Sequence, residues 1–237
     1  MKCVLCKRLC VRNERKMANF WARTHVWQSS QANDWAIWER DPLKEQMKEA
    51  ITAFNVDANA GFRRVLALAE QGSVWNMLQV ANFYLHGVGI RRDPDVAEEW
   101  WRRAFEGGSE RAQLYYGKSL WMRGDYAKCE EVFSVGAAKD WAPALYWLAR
   151  CRLRRCDNPE TLREVRPMLE LASEKGSLAA RYLLARRMLR GRFGLREIPR
   201  GWRLMSGVIH TICGDEPIKA GLPSPLTKFQ SASASAR

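Results

Sequence analysis

Three cysteines near the N-terminus, Cys3, Cys6 and Cys10, are the first residues whose type and spacing could do chemistry. A C-x2-C pair is half of a zinc or iron–sulfur ligand set, because thiolates bind both. A closed site needs four donors; this arm has three, and the nearest histidine is His25. No metal and no cofactor is expected. Cys129, Cys151, Cys156 and Cys213 fall on or beside helical segments. With no export signal in the sequence, reduced thiols in a cytoplasmic protein are the expectation. The histidines are His25, His86 and His210, and none stands in a catalytic arrangement with a Ser, Cys or carboxylate. His86 precedes Gly87, where it can meet the carbonyls that end a helix. Phosphate loop, zincin motif and dinucleotide fingerprint are all missing. The pairs Glu98-Glu99 and Glu130-Glu131 read as solvated helix faces. No catalytic residue is expected, and the chain does not read as an enzyme.

Charge is the stronger signal. The chain of 237 residues has a formal net charge of +13, and arginine dominates its basic residues. Such a balance favours acidic partners: an acidic protein or peptide, nucleic acid or an anionic surface. Hydrophobic residues make up 47% of the chain, enough for a core. No apolar run approaches the roughly 20 residues that a membrane helix needs.

The elements that must position these charges are clearest between Ser73 and Gly108. Met77, Val80, Ala81 and Tyr84 recur at helical spacing from Trp75 to His86. Gly87-Val88-Gly89 breaks that helix, and Asp93-Pro94 starts another, as N-cap carboxylate and first-turn proline. Ala97, Trp100, Trp101 and Ala104 form its apolar stripe, which ends at Gly107-Gly108. The pattern then returns. Ala112, Ala144 and Ala180 are each followed five positions on by a small residue: Gly117, Ala149 and Ala185. With Asn76 and Ala81 as the first copy, the periods are 36, 32 and 36 residues. Self-similarity at that length signals a stacked helical array.

The stretch Tyr84-x-x-Gly87-x-Gly89-Ile90-x-x-Asp93-x-x-x-Ala97-x-x-Trp100-x-x-x-Ala104-x-x-x-Gly108, followed by Ala112 and Gly117, resembles the Sel1-like repeats, close relatives of the tetratricopeptide repeats. The resemblance implies an all-α solenoid of about four antiparallel helix pairs that binds other proteins and has no catalysis of its own. Four units, 73–108, 109–140, 141–176 and a last one from Ser177 to Gly214, follow a degenerate one, 41–72, whose first helix is expected to open at Asp41-Pro42. Pro167 falls inside the second helix of the fourth unit and is expected to kink or delay it. Residues 1–40 read as a basic, tryptophan-containing arm, part of which caps the first repeat; 41–214 as the solenoid; 215–237 as a disordered Pro/Ser/Ala tail.

In arrays of the tetratricopeptide type, the first helix of each unit lines the concave face. Carried over, that geometry puts Asn82, Lys118, Arg150 and Arg186 at one recurring inner position. Tyr146 and Tyr182 come one turn before it, and Arg154 and Arg190 one turn after. The resemblance therefore implies an adaptor or scaffold that holds an acidic protein or peptide on a basic, aromatic wall. A nucleic-acid binder using the same arginines and tyrosines is the alternative.

Overall fold

The computed structural model describes residues 32–213 as helices joined by short turns, with no strand among the described residues. A helix over residues 32–40 (α1) comes first. It is followed by α2 (Lys44–Val56), α3 (Ala58–Glu70), α4 (Val74–His86), α5 (Pro94–Glu106) and α6 (Glu110–Arg123). Then come α7 (Tyr126–Ala137), α8 (Ala142–Arg155), α9 (Pro159–Glu174), α10 (Leu178–Leu189) and α11 (Ile198–Cys213). From α2 onward each helix packs mainly on its neighbours in the chain, the sequential pairing of an α-solenoid. The Cys3/Cys6/Cys10 arm, His25 and the 215–237 tail lie outside the described residues.

A short local code starts three of the units. Ser73, Ser109 and Ser177 are N-caps whose side chains accept the N–H of Asn76, Ala112 and Ala180. Each serine follows a glycine at positive φ: Gly72 (98°), Gly108 (91°) and Gly176 (88°). The fourth unit breaks both rules. Trp141 stands at the N-cap without a side-chain cap bond, and Asp140 holds φ at 53°, the one non-glycine residue with positive φ among the described residues. A Cβ in the left-handed region is strained, so Asp140→Gly should stabilise the protein by about 0.5–1 kcal/mol. A melt that moves down instead would show that the exposed Asp140–Lys175 ion pair, 3.6 Å long, outweighs the strain.

Small residues set how closely the helices approach. Ala81, Ala97, Ala104, Ala112, Ala144, Ala149, Ala180 and Ala185 are all fully buried, and Gly117 packs under the ring of Phe133. Gly87 (φ 72°) and Gly89 (φ 70°) turn α4 into α5, and a Cβ on Gly89 would sit 2.4 Å from the carbonyl oxygen of Ala58. Asp93 caps α5 by accepting the N–H groups of Asp95 and Val96, with Pro94 in the first turn. Trp100 and Trp101 turn inward beside Ala97 and Ala104, and Tyr84 meets Phe62 edge-on at 5.5 Å.

Two expectations need correction. Helix α9 runs unbroken through Pro167, which is exposed, while Leu162, Val165, Leu169 and Ala172 on the same helix are buried. The proline lies on the solvent side, away from the packed face. And Asp41-Pro42 does not open a helix directly. Asp41 accepts the Leu43 N–H at 2.9 Å and the Ser73 hydroxyl, and α2 begins at Lys44.

Candidate interaction site

The first helices of the units are α4, α6, α8 and α10, and their recurring positions place the charged wall. Lys118 on α6 and Arg150 on α8 are half-buried; Arg154, one turn later, is exposed. Arg150 is held by rings. Its guanidinium carbon lies 4.5 Å from the centre of Trp147, 4.6 Å from Trp121 and 5.6 Å from Tyr146. The Lys118 ammonium lies 5.6 Å from the centre of Trp147. Arg154 stands 5.7 Å over Tyr126 and donates to its hydroxyl at 3.3 Å. The rings brace one another: Trp121 meets Tyr126 and Trp147 edge-on at 4.9 and 5.7 Å, and Trp147 stacks on Phe133 at 5.8 Å.

Charge and burial together set this cluster apart. Away from it, many arginines meet carboxylates: Arg102 and Arg103 meet Glu99, Arg123 meets Asp95 and Glu98, and Arg152 and Arg155 meet Glu130. Arg166 meets Glu170 and Glu197, and Arg187 and Arg192 share Asp157. Among the described residues, Lys118, Arg150 and Arg154 have aromatic neighbours and no carboxylate, and the sole hydrogen bond from the Arg150 guanidinium goes to the Tyr146 hydroxyl, at 3.3 Å. A guanidinium has five N–H donors, so most of its capacity is uncommitted. Burial, and then the charge of Arg150, push Lys118 down to about 8.

Of the sequence-derived wall, Lys118, Tyr146, Arg150 and Arg154 come together. Asn82 is half-buried on α4; Tyr182 and Arg186 are half-buried on α10, and Arg190, exposed, ends that helix. Trp121, Trp147 and Tyr126 belong to the cluster but were missed in the sequence. Trp121 stands three residues after Lys118, and Trp147 three before Arg150, spacings that share a helix face. His86 is the exposed last residue of α4. Cys129 is fully buried where α7 and α8 cross, its sulfur 2.8 Å from that of Cys151. Among the described residues no group of His, Cys, Asp and Glu is arranged to hold a metal ion, and no helix is long and apolar enough to cross a membrane.

A second acid–base contact lies on the same helix faces. Arg111 and Trp75 stand seven residues before Lys118 and Asn82, two turns down the same sides of α6 and α4. Helix α1 covers both: Asp34 pairs with Arg111, and Trp38 meets Trp75 edge-on at 5.4 Å. Asn33 accepts the Glu110 N–H at 3.0 Å, fixing α1 against the start of α6. Burial pushes the Asp34 carboxyl up to about 6, although Arg111 works against it.

No protein-family model matches the chain, and no match was found among curated proteins. Solved structures do match. One is a protective antigen present in uropathogenic Escherichia coli strains and displaying an SLR fold, with TM-score 0.61 and 18% identity. That match covers 73% of this chain and 39% of the antigen. Another is a Sel1 repeat protein from Oxalobacter formigenes, with TM-score 0.53, 18% identity and 72% of each chain covered. The chain has the fold of Sel1-like repeat proteins.

Proposed function

We propose that the chain is a non-catalytic scaffold whose first-helix face holds an acidic segment of another protein. One observation carries the reading. Lys118, Arg150 and Arg154 form a cationic centre without a carboxylate among the described residues, in a chain many of whose other arginines are paired with one. Partly desolvated like charges that the fold leaves unpaired cost stability, and an acidic partner would repay it. Asn82, Tyr182, Arg186 and Arg190 would extend the surface along neighbouring units. Nucleic acid is the weaker reading because the rings are in use. One face of Trp147 is taken by Phe133, and Arg150 stands over Trp121, Tyr146 and Trp147. Base stacking needs an open ring face.

A photo-crosslinking residue at Met122, 85% exposed and one turn beyond Lys118, tests this. Val135, 47% exposed on the second helix of the same unit, is the control position. In the native cell the Met122 probe should capture a protein in extracts treated with nuclease, and the Val135 probe should not. Arg150→Glu with Arg186→Glu should remove that adduct without unfolding the protein. An adduct that disappears with nuclease would transfer the site to nucleic acid. Equal capture at both positions would refute a binding face of this kind.

A further inference from the structure

We infer that the space between Lys118 and Arg150 is the seat of one carboxylate of the bound segment, met as the chain's own Asp34 is met by Arg111. This rests on the scaffold reading and names the chemistry it uses. Three observations converge. Lys118 and Arg150 come from successive first helices and both reach the ring of Trp147, at 5.6 and 4.5 Å, so one small anion can meet both. The rings fix the guanidinium while leaving most of its N–H donors free, which is preorganisation for bidentate contact to an oxyanion. And the fold already performs this recognition once. Two turns down the same face of α6, Arg111 takes the carboxylate of Asp34, whose helix also sets Trp38 against Trp75. Helix α1 therefore shows, within the chain, a helical segment laid on the first-helix face with its carboxylate on Arg111. A partner's segment repeats that contact at Lys118 and Arg150.

An oxyanion at this seat can be a side-chain carboxylate or a chain terminus, and the two are separable. The probes are three nine-residue peptides of Gly and Ser. One has three internal glutamates and blocked ends, one has glutamine in their place, and one has no acid except a free C-terminal carboxylate. Binding is read from the indole N–H resonances of Trp121 and Trp147 on the intact chain. The glutamate peptide should shift both resonances saturably, and the glutamine peptide should leave them unmoved. Lys118→Met and Arg150→Gln should each weaken binding at least tenfold. The exposed pair Arg63→Gln with Arg64→Gln on α3 should have no effect. A response to the third peptide alone assigns the seat to a chain terminus instead of a side chain. Lys118→Met removes a charge from a desolvated place, so its folding is not in doubt even if Arg150→Gln loosens the rings. Equal binding of the glutamate and glutamine peptides, or undiminished binding by Lys118→Met, would overturn the seat. If the Met122 probe captures a protein while all three peptides fail, the scaffold stands and the carboxylate seat falls.

Discussion

A Gly117→Leu variant should unfold roughly 6–12 °C below the unaltered protein, about 3 kcal/mol for a chain of this size. The argument is steric. A Cβ on Gly117 would already lie 2.4 Å from Cζ and 2.5 Å from Cε2 of Phe133. The ring cannot swing aside, because Phe133 is fully buried and stacks on Trp147. Overpacking costs about 1–3 kcal/mol where a neighbour can yield, and here α6 and α7 must separate. The same displacement would move Lys118 away from Arg150, so the glutamate peptide should bind less well too. Gly207→Ala is the internal control. A Cβ there meets nothing within 4 Å, and an exposed helical position gains roughly 0.5–1 kcal/mol from alanine. Matching melts for Gly117→Leu and the unaltered protein would show that α6 and α7 do not cross at this residue.

The helix pairs were legible because their signals are local. Asp93-Pro94, the serine caps and the glycines at positive φ each act within a turn or two of the residues they order. Ala97, Ala112, Ala144 and Ala180 repeat because every unit needs a small residue where its helices touch. What stayed hidden depends on facing elements. Pro167 looks like a breaker in isolation, and only its place on the exposed side of α9 explains why the helix continues. Trp121 and Trp147 carry no local signal of that kind. Their function depends on α6 and α8 standing side by side, which no single helix reveals. Pairing of the other arginines was equally invisible, since Arg152 with Glu130 and Arg187 with Asp157 join residues 22 and 30 positions apart. The sequence shows a basic chain. The fold shows which of its charges are already neutralised.

One unneutralised charge should make the protein's stability rise with pH. Lys118 is pushed down to about 8 in the folded protein, first by burial and then by Arg150, against about 10.4 in an unfolded chain. Between those values the unfolded state binds a proton that the folded state has released. Stability from this group therefore increases as pH rises from about 8 to about 10.4, by about 3 kcal/mol in all, and is at its lowest below pH 8. The test is a difference between two proteins. Urea unfolding of the unaltered protein and of Lys118→Met at pH 7 and pH 10 should give the variant an advantage at pH 7 that disappears by pH 10. Parallel curves would mean that the ammonium is hydrated and that the centre holds no strain for a partner to relieve. The same group connects stability to binding. A carboxylate seated beside Lys118 restores the proton's favourable surroundings, so the complex takes up protons near pH 8–9 and its affinity falls as the pH is raised further. The charge that costs the free protein stability is then the one that the partner's acid compensates.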